Sequence, residues 1–99
     1  MSYTVRFTPA AAKDLQRLFD FLAERDLKAA RRARAAIAKG IAFLRTFPFS
    51  CRKVSVEHPL LRELIISFGA NGYVALFEIE NDQMVTILAI RHQREEDFF

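Results

Sequence analysis

The sequence predicts an α+β fold in which a hairpin of two helices packs on an antiparallel sheet of about four to five strands, in the order β-α-α-β-β-β-β. Three observations carry this. A short alternating stretch opens the chain, two stretches of helical periodicity follow back to back, and three apolar stretches joined by short turns close it. Strands linked by short turns form a meander, and two helices inserted after the first strand have one place to go, across a face of that sheet. Ninety-nine residues with 52 % hydrophobic and 27 % charged side chains suit a single globular domain with one core.

The first strand spans residues 3–7, with Tyr3, Val5 and Phe7 on one side and Thr4 and Arg6 on the other. Thr8-Pro9 supplies an N-cap and a proline at the first helical position, where its missing N–H costs nothing. The helix it starts runs to Glu24 or Arg25. Leu15, Leu18, Phe19 and Leu22 form its apolar stripe, leaving Lys13, Asp14, Gln16, Arg17 and Asp20 for solvent. Asp26 caps a second helix that reaches Thr46 and stops before Pro48. Its inner face is Ala30, Ala33, Ile37, Ile41 and Leu44, whose small leading residues let the first helix come close.

Residues 46–51 form a loop, residues 52–57 a short strand, and His58-Pro59 a turn, because the residue before proline is pushed out of the helical region. A strand then runs over 61–68, Gly69-Ala-Asn-Gly72 turns the chain, and a further strand covers 73–80. After Asn81-Asp82-Gln83 the last strand begins. Val85, Ile87 and Ala89 point one way and Met84, Leu88 and Ile90 the other, as in a strand covered on both faces.

Composition narrows the function classes. No apolar run approaches the ~20 residues that span a bilayer, and the N-terminus lacks the apolar stretch of a signal peptide, so a cytoplasmic protein without membrane contact is expected. The single cysteine, Cys51, has no internal disulfide partner, which suits a reducing compartment. Two histidines and one cysteine are thin material for a metal site, and neither metal nor cofactor is expected. The net charge of +3 and pI near 9.4 favour an acidic partner. Ten phenylalanines and no tryptophan predict a core, or a core plus an exposed patch, rich in aromatic rings.

The chemistry concentrates at the end of the last strand, where Arg91, His92 and Arg94 fall within four residues. Imidazole, with an unperturbed pKa of ~6.5, suits acid–base work, while guanidinium offers a permanent donor fork for phosphate. Arg62 is a second arginine in an apolar strand; there and at Arg91 phosphate capture competes with structural ion pairing. Lys28, Arg31, Arg32 and Lys39 form a basic stripe on the outer side of the second helix, a possible grip for nucleic acid or a partner and also an ordinary solvated face. No nucleophile elbow or phosphate loop is present.

The order of these pieces resembles the RelE/ParE toxins of type II toxin–antitoxin modules. The likeness rests on Val-Arg-Phe-Thr-Pro-Ala-Ala-Ala-Lys-Asp-Leu at the start and Leu-Arg-Thr-Phe-Pro at the end of the helical hairpin. Leu-Arg-Glu-Leu-Ile-Ile, Gly-Tyr-Val-Ala-Leu-Phe-Glu-Ile and Ile-Leu-Ala-Ile-Arg-His-Gln-Arg-Glu in the strands complete it. The resemblance implies the same small α/β architecture and a cognate antitoxin that wraps the toxin. Within the family it implies one of two activities. RelE-like members cut messenger RNA on the ribosome with the 2′-hydroxyl as nucleophile and no metal; here Arg62, Arg91 and His92 would be the catalytic residues. ParE-like members, associated with plasmid stabilisation, inhibit DNA gyrase, and Arg91, His92, Arg94, Phe98 and Phe99 would then be the target-binding surface. Phe98 and Phe99 stand where a RelE-like member carries a proton-exchanging tyrosine, which favours the ParE-like branch. A non-toxic relative that keeps only antitoxin binding is the third expectation.

Overall fold

The structure, a computed structural model, describes residues 2–94. Its elements are β1 (Thr4–Phe7), α1 (Pro9–Ala23), α2 (Leu27–Leu44), a 3-10 turn at Pro48–Ser50, β2 (Arg52–Ser55), β3 (His58–Phe68), β4 (Asn71–Ile79) and β5 (Met84–His92). Both helix starts follow from their caps. Thr8 Oγ1 accepts from the Ala11 N–H at 3.1 Å with Pro9 behind it, and Asp26 Oδ1 accepts from the Ala29 N–H at 3.0 Å. Asp26 takes an extended conformation to do so, which helps end α1 slightly earlier than its periodicity suggests.

The sheet has the order β1-β5-β4-β3-β2. Strands β2 to β5 pair antiparallel as expected, but β1 joins β5 in parallel, with Thr4 beside Met84 and Phe7 beside Ile87. The sheet is therefore mixed. The two helices carry the chain from β1 at one edge to β2 at the other, and the meander from β2 to β5 returns across the sheet to lay β5 beside β1 in the same direction, which no hairpin can do. Pro59 also differs from expectation: it lies inside β3, while residues 56–57 make the turn. It stands ahead of the Leu61–Glu78 pair that begins the ladder with β4, so its missing N–H takes nothing from that ladder. The β3–β4 loop is tighter than expected, since Phe68 already pairs with Asn71, and Gly69 makes it possible by adopting φ 61°.

One irregularity sets the far end of β5. Leu76 opposes Ala89, but the next residue, Phe77, opposes Ile87, so Leu88 is an extra residue that bulges from the ladder. The alternation of β5 reverses there. Val85 and Ile87 face the helices before it; Ile90 and His92 face them after it, opposite Ala75 and Tyr73. Ala89 and Arg91 are thereby turned to the other side, whereas simple alternation grouped them with Val85 and Ile87.

α1 holds the bulge in place. The Thr8 N–H donates to Ile87 O at 3.0 Å, the Thr8 hydroxyl donates to Leu88 O at 3.3 Å, and Asp14 Oδ2 accepts from the Ile90 N–H at 3.0 Å. Asp14, expected to be solvated, is thus a tie between helix and sheet. The β1–β5 ladder ends at Phe7–Ile87, and the carboxylate gives the Ile90 N–H, beyond that end, its partner.

The core lies between the helical hairpin and one face of the sheet. Leu18, Ala30, Ala33, Ile37 and Leu44 meet Leu64, Ile66, Ala75, Phe77, Ile79, Val85, Ile87 and Ile90. It is aliphatic: among the described phenylalanines only Phe77 is fully buried, while Phe21, Phe43, Phe47 and Phe49 are exposed. No helix of the described residues is long and apolar enough to cross a membrane.

The Asp14 tie generates a stability prediction. Asp14→Ala leaves the Ile90 N–H buried and unpaired, and urea unfolding should show a loss of about 1–3 kcal/mol. Lys13→Ala, on an exposed neighbouring position, should change stability by less than about 0.5 kcal/mol.

Candidate functional site

The reversal at Leu88 delivers His92 to a cleft of about 600 Å3 at the C-terminal end of β5. α1 contributes Arg17, Leu18, Phe21 and Leu22; the β3–β4 hairpin adds Phe68 and Tyr73; His92 and Arg94 close it. The floor is apolar and the rim cationic, a combination that suits an apolar group bearing or flanked by negative charge.

His92 is held from two sides. Its ring meets the Tyr73 ring edge-on at 5.7 Å, and its Nδ1 accepts from the Arg94 N–H at 3.1 Å. That bond leaves Nε2 as the nitrogen carrying the proton in the neutral ring. Tyr73 is 3 % exposed and also packs against Phe68 at 6.2 Å. Burial raises its phenol above the ordinary value of 10.0, so the hydroxyl keeps its proton.

The other candidate residues are dispersed. Arg91 lies opposite Val74 on the far face of the sheet, where its Nη1 donates to the carbonyls of His92 and Gln93 at 3.3 and 3.4 Å. Arg62 lies opposite Phe77 on the helix face, 8 % exposed. Its guanidinium donates to Pro59 O at 2.9 Å, Phe49 O at 2.8 Å and Cys51 O at 3.0 Å, and sits over the Phe49 ring. It pins the 3-10 turn and β2 to the start of β3. Across the sheet Arg62 is level with Phe77 and His92 with Tyr73, four residues along β4, about 13 Å at the usual strand rise. Arg62, Arg91 and His92 therefore do not surround one phosphate.

Lys28, Arg31, Arg32 and Lys39 are all exposed on α2, outside the cleft. Phe98 and Phe99 lie outside the described residues. Cys51 is buried; desolvation raises its thiol above the ordinary 9.0, and the nearby positive charge of Arg62 offsets this only in part. Among the described residues no cluster of three His, Cys, Asp or Glu side chains is placed to hold a metal ion. Arg17, Tyr73 and the β3–β4 hairpin were not singled out in the sequence, because each looks like ordinary surface or core until the hairpin brings them beside β5.

Comparison with known proteins agrees with this architecture. The family described as "ParE toxin of type II toxin-antitoxin system, parDE" matches residues 5–97. The chain is 33 % identical over 79 residues to "Toxin RelE1" of Caulobacter vibrioides, covering 80 % of this chain and 82 % of that protein. The fold matches a structure titled "Chromosomal ParDE TA system from P. aeruginosa" with a TM-score of 0.73 at 21 % identity, over 92 % of this chain and 96 % of that one. The protein belongs to the ParE toxin family, within the RelE/ParE superfamily, and is a toxin of the type II toxin–antitoxin class.

Two measurements check the structural roles. Arg62→Ala strands three carbonyls and should lower unfolding free energy by about 2–4 kcal/mol, with Arg62→Lys recovering part of it. Cys51 contributes stability that is fully present below the ordinary thiol value of 9.0 and is lost as pH rises through its higher folded value. The alkaline fall in melting temperature should accordingly be shallower in Cys51→Ala.

Proposed function

We propose that this toxin inhibits DNA gyrase, that the cleft at the end of β5 with Arg94 and His92 is part of the surface that meets it, and that a cognate antitoxin neutralises it. Both interactions place it in the cytoplasm. The observation that supports binding over catalysis is the state of Arg62. Three of the five Arg62 N–H donors are taken by main-chain carbonyls, and with the side chain buried this fixes the guanidinium on the loop between α2 and β3 instead of presenting it to a phosphate. Arg91, on the far face, and His92, in the cleft, address different surfaces, as a docking edge would and a single transition-state clamp would not.

Ribosome-dependent cleavage of messenger RNA is the second reading, and one contact favours it. Tyr73 meets His92 edge-on in a cleft that also holds Arg17 and Arg94, giving a phenol, an imidazole and two cations around one cleft. In that reading Tyr73 and His92 carry the proton transfers instead of the more remote Arg62.

Purified toxin should block supercoiling by gyrase and raise the yield of cleaved DNA, and Arg94→Glu or His92→Ala should weaken this about tenfold or more while leaving the melting temperature nearly unchanged. Unimpaired supercoiling at saturating toxin, together with message cleavage in a translation extract that His92→Ala abolishes, would establish the nuclease instead. Harmless accumulation in a bacterial host and no effect in either assay would identify a relative that retains only antitoxin binding.

A further inference from the structure

We infer that the outer face of α2, through Lys28, Arg31, Arg32 and Lys39, binds the phosphate backbone of double-stranded DNA. The choice of DNA over duplex RNA rests on the gyrase reading; the site rests on the helix itself. Charge in this chain is segregated. Residues 27–45 hold six of the fifteen cations and no carboxylate, whereas the other eighty residues hold nine cations and twelve carboxylates. The positive net charge is therefore the property of one helix and its C-cap, Arg45.

Helix stability does not explain this arrangement. α2 has no acidic residue in its first turn and no basic one in its last, and Lys28 stands near the N-terminus, where the helix dipole disfavours a cation. Lys28 lies three and four residues from Arg31 and Arg32, spacings at which like charges meet on one face and repel. Asp26, the carboxylate just before the helix, is engaged by the Ala29 N–H as the cap. Among the described residues none of the four cations has an ion pair. Arg34 is set apart from them, its guanidinium lying over the Phe19 ring at 4.4 Å.

The composition of the face selects the occupant. Between Lys28 and Lys39 the exposed residues other than cations are Ala35 and Ala38. Protein partners are anchored by aromatic or large aliphatic side chains, and single-stranded nucleic acid by rings on which bases stack; this stretch exposes neither. Alanines between the cations let a phosphate backbone come close to the helix. Lys28 to Lys39 cover ~16 Å of helix, over which the four cations can neutralise about four phosphates together. The stripe lies outside the cleft of His92 and Arg94, so a toxin docked on gyrase by the cleft keeps α2 for the DNA that gyrase holds.

The test is fluorescence anisotropy of a labelled, mixed-sequence DNA duplex titrated with the toxin alone. Affinity should fall about a hundredfold between about 50 and 200 mM salt, the dependence that four phosphate contacts give. Lys28→Glu and Arg32→Glu should each weaken binding about tenfold or more and flatten the salt dependence, with circular dichroism confirming the fold. Lys13→Glu makes the same change in net charge on α1 and should weaken binding by less than about threefold. No binding at low salt, equal losses in Lys13→Glu and Arg32→Glu, or tighter binding of duplex RNA or of a single strand each overturns the inference. So does an Arg32→Glu variant that loses the antitoxin but keeps DNA, which assigns the stripe to an acidic protein. The assay contains no gyrase, so these failures leave the gyrase reading standing; a toxin that binds the duplex and spares supercoiling overturns that reading and keeps the α2 site.

Discussion

The cleft end of this protein depends on one displaced residue. Leu88 shifts the phase of β5 so that the residues after it exchange faces, and the Thr8 and Asp14 contacts from α1 keep it displaced. A regular strand would carry Arg91 into the cleft and turn His92 to the far face. The helix that covers the core therefore also determines which side chain the cleft presents. Sheet register, helix capping and site composition are one constraint, because Thr8 serves as the N-cap of α1 and as a donor to the bulge at once.

Around that constraint the arginines divide by position. Arg62 is enclosed by carbonyls and holds the loop between α2 and β2 against the sheet. Arg6 pairs with Glu80, which also bonds Thr86, and Arg52 pairs with Glu63; both ion pairs lie at margins of the sheet and add little stability. The cations of α2 and Arg94 face solvent. The apolar surface follows a similar division: aliphatic side chains fill the core, Phe21 lies at the cleft, Phe43 and Phe47 lie by the groove between α2 and β3, and Phe49 lies under Arg62. The described residues thus leave two separate apolar surfaces, one at the cleft and one between α2 and β3.

The fold was largely legible in the sequence. Thr8-Pro9 and Asp26 marked both helix starts, and period 3.6 gave the inner faces of α1 and α2, because capping and amphipathicity are local properties. The parallel seat of β1 was not legible, since strand pairing across the whole chain leaves no local trace. The bulge at Leu88 was hidden for another reason: it has no glycine or proline to mark it, and an unbroken apolar run reads the same in either phase. Arg62 was conspicuous as a charge in an apolar strand, but the sequence cannot show that three carbonyls wait for it. Asp14 was missed because a polar residue on a helix flank looks solvated until the neighbouring strand is known to need an acceptor.

The pairing of β1 with β5 has a consequence for how the molecule comes into being. Thr4 lies beside Met84, so the first strand made must wait for the last before it gains its neighbour. Contacts of such long sequence separation form late in folding because the intervening chain must first be closed. α1, whose cap and carboxylate grip β5, is likewise incomplete until then. A growing chain can thus build its helical hairpin early, but not the cleft. The cleft can close only after β5 has followed the helices and the other strands out of the ribosome.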